Sequence, residues 1–216
     1  MAIDDVLQTL LAAPKAFLES NALLIYGSNK GGSGPKEFVL QASDETGWRS
    51  CVGGATRNVP FYVMYDANGY NAKGSGPKSK PFATHYVSMR EYNVTNNSWE
   101  DADTTHYLLP TDGPAVMVTS KLNGCTFGIG SNGSGARLVS HLRPQSGSST
   151  AVRVGLDQGI RAGFAGGKLD VGIMSSGQEN GTILALRTGT KWTFYAQRFQ
   201  MLASMVGFIN DVRVYS

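Results

Sequence analysis

The rhythm of its apolar residues constrains this chain most: one stretch keeps helical spacing, and everything after it is cut into short runs. Within residues 3–19, Ile3, Val6, Leu7, Leu10 and Leu11 fall at i, i+3, i+4, i+7 and i+8, one face of a helix. Pro14 lacks the amide hydrogen that would continue the ladder and predicts a stop or kink there. Beyond it, candidate strands lie at 22–27, 36–42, 48–53, 60–66, 84–94, 114–120, 125–130, 136–142, 151–156, 168–174, 182–187, 191–198 and 211–215. Gly, Asn, Ser and Pro separate them, residues that supply positive φ and turn hydrogen bonds. The stretch 199–209 (FQMLASMVGFI) fits a short helix and a buried strand equally. With 27 glycines and only 16% charged residues, the 216-residue chain suits short strands and tight turns better than long salt-bridged helices. The expectation is an α+β, β-rich fold: a two-sheet β-sandwich of mixed strands with one or two small flanking helices, in a single domain spanning 1–216.

Charge and composition remove several function classes. A net charge of +3, with lysines spread over loops (Lys30, Lys36, Lys73, Lys78, Lys80), gives no basic stripe for nucleic acid. No apolar run reaches the ~20 residues of a membrane-spanning helix. Asp4 and Asp5 stand where a secretory signal would be basic. Cys51 and Cys125 make no disulfide framework and read as free thiols of a reducing compartment. The pentapeptide GSGPK recurs at 32–36 and 74–78 with unlike flanks, which predicts two similar loops and no repeat architecture. A phosphate-cradling loop starting at Gly27 fails, because Ser33 stands where lysine is required.

Chemistry concentrates in 114–142, PAVMVTSKLNGCTFGIGSNGSGARLVSHL, three strands in series. A hairpin turn centred on Gly133 would set Cys125 directly opposite His141 on one face, over an apolar floor of Phe127 and Val139. A thiol beside an imidazole is the arrangement that nucleophilic cysteine chemistry needs, since the base takes the thiol proton and an ion pair lowers the thiol pKa. Register decides this, because a one-residue slip puts the two side chains on opposite faces. Gly124 would let a substrate carbonyl approach the backbone, where amides around Asn123, Gly124 and Cys125 form an oxyanion hole. A turn centred on Leu122 would place Thr119, at the end of the preceding strand, opposite Cys125, where its hydroxyl would orient a substrate amide or the imidazole. The competing structural readings are a small core cysteine and a hydrogen-bonded histidine at a strand end. His85 and His106 have no second ligand at metal spacing, and Glu100, Asp101 and Asp103 read as a solvated loop, so no metal or cofactor is expected.

The string Thr119-Ser-Lys-Leu-Asn-Gly-Cys125, with His141 one hairpin later, resembles the bacterial toxin glutamine deamidases, the Burkholderia lethal factor and the cytotoxic necrotizing factor catalytic domain. Leu122-Asn123-Gly124-Cys125 stands for L-S-G-C of the lethal-factor run T-x-x-L-S-G-C, with Asn for Ser. The chemotaxis-receptor deamidases share the order Thr, Cys, His. The resemblance implies hydrolysis of a glutamine side-chain amide to glutamate, with Cys125 as nucleophile, His141 as general base and acid, and Thr119 in support. It also implies a toxin exported from a bacterium without a cleaved signal, acting as a monomer in the host cytoplasm. Its host-protein substrate would be a small GTPase or a translation-initiation RNA helicase. Selective iodoacetamide labelling of Cys125 over Cys51 near neutral pH would favour this enzymatic reading. A rival resemblance is carried by Phe208-Ile-Asn-Asp-Val-Arg-Val-Tyr215, similar to the closing strand of laminin-G and concanavalin-type sandwiches. It implies a carbohydrate-binding module without catalysis. A papain-like or transglutaminase-like thiol enzyme would keep Cys125 and His141 and add an orienting Asp or Asn.

Overall fold

The helical stretch folds as two short helices, α1 (Ile3–Ala12) and α2 (Pro14–Ser20), broken where expected: Pro14 starts α2 in the first turn, where amide hydrogens have no intrahelical acceptor to lose. Ile3, Val6, Leu7 and Leu10 of α1 and Phe17 and Leu18 of α2 are buried. The computed structural model describes residues 2–28, 32–68, 76–93, 98–99, 106–132, 136–144, 167–174, 179–203 and 206–216. The candidate strand 151–156 and the acidic residues 100, 101 and 103 lie outside the described residues.

All other regular structure is β, in two sheets. The larger runs β1 (Ala22–Tyr26), β5 (Phe61–Asp66), β2 (Gly34–Ala42), β6 (Phe82–Val87), β10 (Val116–Thr119), β15 (Glu179–Thr188), β16 (Lys191–Ala203), β17 (Val206–Tyr215), β3 (Arg49–Ser50), β4 (Arg57–Asn58). The two-residue β11 (Leu122–Asn123) also pairs with β15. The smaller runs β14 (Gly167–Met174), β12 (Thr126–Asn132), β13 (Arg137–Pro144), β7 (Met89–Asn93), β8 (Ser98–Trp99), with β9 (Tyr107–Leu108) on β13. Strand directions are mixed: β1–β5, β6–β10, β7–β13 and β3–β17 are parallel, the other pairs antiparallel. This is the expected β-rich α+β sandwich.

The central strands of the larger sheet are buried on both faces, and their two-residue period sorts side chains between two cores. In β10, Val116 and Val118 enter a core shared with the helices, while Met117 faces a second core between the sheets. In β15, Leu184 joins the first core and Ile183 and Ala185 the second. The free edge of β1 is covered by side chains from across the larger sheet: Leu23 N donates to Gln197 Oε1 at 3.0 Å, and Thr182 Oγ1 donates to Leu23 O at 2.6 Å. An open edge is thereby satisfied without another strand.

Two departures from the strand expectations matter. The run 84–94 is divided at Ser88, where the chain leaves the larger sheet and enters the smaller one. The ambiguous 199–209 is strand: Phe199 pairs with Ile209, Gln200 with Phe208 and Met201 with Gly207. Gly207 permits the pairing, since a Cβ there would stand 2.2 Å from the Gln200 carbonyl oxygen.

Candidate active site

The chain crosses between the sheets at Ser88 and again at Gly124–Cys125, between β11 and β12. Thr119, Cys125 and His141 gather between these crossings. Thr119 ends β10 on the inter-sheet face, in register with Val87. His141 lies on β13 and turns toward the same core, its ring edge-on to Phe127 with centroids 6.5 Å apart. Cys125 lies at the mouth of β12 and belongs to the same inter-sheet core.

The hairpin register differs from the expected one by two residues. Phe127 pairs with His141 and Ile129 with Val139, so Cys125 is the diagonal and not the direct neighbour of His141. A shift of two preserves facing where a shift of one would reverse it, so thiol and imidazole keep a common face. Thr119 also differs from expectation. It belongs to the opposite sheet and is no hairpin partner of Cys125; its hydroxyl meets the imidazole across the sandwich, Oγ1 to His141 Nδ1 at 2.7 Å.

That hydroxyl fixes the tautomer. Thr119 Oγ1 is also 2.7 Å from the carbonyl oxygen of Val87, which can only accept. The single hydroxyl hydrogen therefore goes to Val87, and Thr119 accepts from His141 Nδ1–H. The neutral ring then carries its lone pair on Nε2, the nitrogen a general base uses. This Nε2 is buried and has no hydrogen-bond partner. Burial holds the His141 pKa down to about 3, against an ordinary 6.5.

The thiol points elsewhere in this conformation. Cys125 Sγ donates to the Asn123 carbonyl oxygen at 3.5 Å and lies 4.0 Å from Met89 Sδ. Burial pushes its pKa up, and the backbone at Asn123 and the Arg143 charge offset this only in part. Resting thiol and imidazole are thus both neutral, and the expected ion pair is not preformed. Cys125 is 3% exposed and His141 1%, while Cys51 is half-buried with Sγ 3.6 Å from Thr56 Oγ1. On exposure alone, iodoacetamide should reach Cys51 before Cys125 in the resting protein, an order that peptide mass analysis would check.

Asn123 and Gly124 are exposed. Gly124 has φ +67°, and a Cβ there would find nothing within 4 Å. Its backbone is open from outside at the step before the nucleophile candidate. The atom of Asn123 that the sulfur touches is its carbonyl oxygen, an acceptor that cannot itself hold an oxyanion. A small cleft of about 10 Å³, room for the centre of one water, touches His141 beside Ser88, Arg90, His106 and Tyr107. His85 is buried, with Nδ1 3.0 Å from the Tyr107 hydroxyl. Among the described residues no three His, Cys, Asp or Glu side chains converge on a metal position.

Val87 and Met89 were invisible to sequence reasoning. They lie more than thirty residues before Cys125 and flank Ser88, whose role as a sheet crossing has no local signature. The strand pattern of HYVSMREY runs straight through it.

No family model and no curated protein sequence matches the chain. Among solved structures, the C-terminal domain of CNFy from Yersinia pseudotuberculosis is similar at a TM-score of 0.41 and 9% identity. The match covers 100% of this chain and 99% of that one. At that level neither a shared activity nor a shared site follows.

Proposed function

We propose that this chain is a cysteine-dependent protein glutamine deamidase, a bacterial toxin or effector that converts a host glutamine side chain to glutamate and releases ammonia. His141 Nε2 is the observation that carries the reading. It is a buried lone pair without a partner, in the basic tautomer set by Thr119, on the core face that also holds the only buried thiol among the described residues. A buried polar atom left unsatisfied costs about 1–3 kcal/mol; His85 carries the same cost, so the buried thiol on the shared core face is what singles out His141.

Rotation about the Cys125 side chain takes Sγ from the Asn123 carbonyl toward Nε2. As a substrate carboxamide enters, Nε2 takes the thiol proton and the sulfur attacks the amide carbon. The carbonyl oxygen becomes an oxyanion held by backbone amides at the open Gly124 step. The imidazolium, costly in this buried site, gives its proton to the departing nitrogen, and ammonia leaves. Water then attacks the thioester with His141 again as base, returning thiol and neutral imidazole and leaving a carboxylate. Thr119 is a positioning residue throughout. It fills the place that Asp or Asn takes in other thiol enzymes, without adding a charge that would stabilise the imidazolium.

A toxin role in the host cytoplasm, and a small GTPase or translation-initiation helicase as first targets to assay, rest on the sequence resemblance alone. The test is peptide mass analysis of host lysate incubated with the protein. The expected result is one glutamine that exchanges NH2 for OH, with no conversion by Cys125→Ser. Equal conversion by that variant refutes the assignment.

A further inference from the structure

We propose that Met89 is an internal stand-in for the substrate: its side chain occupies the place a glutamine must take and caps the Cys125 thiol until it is displaced. The capping stands on geometry alone, while its purpose rests on the deamidase reading. Met89 opens β7 in register with His141, and Cys125 leads into β12 on the opposite side of β13. Strands lie about 4.8 Å apart, so β7 and β12 are about 10 Å from one another. Yet Met89 Sδ and Cys125 Sγ are 4.0 Å apart. The methionine side chain therefore reaches across the column of His141 and ends at the thiol.

Exposure points the same way. Cys125 and His141 are buried, whereas Met89 is half-buried and packs against their core from its solvent side. Methionine is unbranched and flexible, so it fills such a space and can leave it. It also matches glutamine in length. Two methylenes precede Sδ as two precede the amide carbon, which puts the methionine sulfur where the carbon under attack would stand. A shorter asparagine anchored at the same depth would end one methylene short of the thiol.

Two measurements test this. The first follows iodoacetamide alkylation of Cys125 by peptide mass, with Cys51 of the same molecule as reference. Met89→Ala is expected to raise the Cys125 rate about tenfold or more with Cys51 unchanged, and Met89→Leu to leave it as in the wild type. Met89→Phe, which enlarges the cap, is expected to slow it. A Cys125 rate indifferent to all three overturns the cap, whether or not any host protein is converted. A rise at both cysteines in Met89→Ala marks lost folding, and Met89→Phe then decides alone. The second measurement uses Met89→Gln. There the introduced amide carbon bonds to Sγ, ammonia leaves, and water cleaves the thioester to leave glutamate at position 89. That product, lost when Cys125→Ser is added, supports the mimicry. An intact glutamine at position 89 in protein that does convert a host glutamine overturns it.

Discussion

His85 and His141 are built alike and placed differently. Each is buried on the inter-sheet side of its sheet, each has Nδ1 hydrogen-bonded to a hydroxyl, and each leaves Nε2 without a partner. Burial lowers the pKa of both. Around His85 stand Tyr107, the edge of Trp192, the Asp112 backbone and Arg187, and Gly113 closes toward Nε2. Around His141 stand Thr119, Phe127, and the crossing that carries Cys125. Burial and a hydroxyl partner on Nδ1 are therefore insufficient to mark a site. A thiol on the same sheet face, next to an exposed backbone step, is what distinguishes the two histidines.

The largest expected effect breaks the pair apart by activity. His141→Gln should lower turnover on the converted host protein by about 10²–10⁴-fold, the usual worth of a general base. His85→Gln should leave turnover within a few-fold. Equal losses from the two would show that neither acts on the reacting atoms.

Acid sensitivity separates them next. Between pH 6.5 and about 3 the unfolded chain protonates His141 and the native protein does not, so stability falls as pH drops through that window. The full loss at its lower end is up to about 5 kcal/mol. His85, lowered by burial, acts in the same direction. Denaturant titrations at stepped pH should show His141→Leu losing part of this dependence and the His141→Leu, His85→Leu pair losing more. An unchanged slope in His141→Leu contradicts a buried neutral ring.

The hydroxyl partners give a smaller contrast. Thr119→Val keeps the shape but strands the Val87 carbonyl and His141 Nδ1–H, at about 1–3 kcal/mol. It should depress kcat more than KM, with Thr119→Ser restoring both. Tyr107→Phe removes the corresponding partner of His85 and should cost about 1 kcal/mol with kcat intact. Smallest is Gly124→Ala, which meets no atom and bears only the positive φ, about 1 kcal/mol in a thermal melt.

Local pattern determined the helix and its break, most of the strands, and the three residue types of the candidate site. The stop at Pro14, the apolar run at 60–66 and the run Leu122–Cys125 are nearest-neighbour facts, written in side-chain shape and spacing. The run 199–209 stayed ambiguous because FQMLASMVGFI is apolar with either period, and only pairing within the ladder chose strand.

Tertiary structure decided everything that joins residues distant in sequence. The hairpin register moved by two because the sequence Gly-Ser-Gly after Asn132 carries no register signal, while packing of Phe127, Ile129 and Val139 sets one. Thr119 found His141 across the sandwich because β10 and β13 belong to different sheets, a fact set by the crossings at Ser88 and Gly124–Cys125 and by no local preference. The sequence supplied a thiol, an imidazole and a hydroxyl. Which atom each one faces is set by which sheet each strand joins, and that is fixed only when the whole core packs.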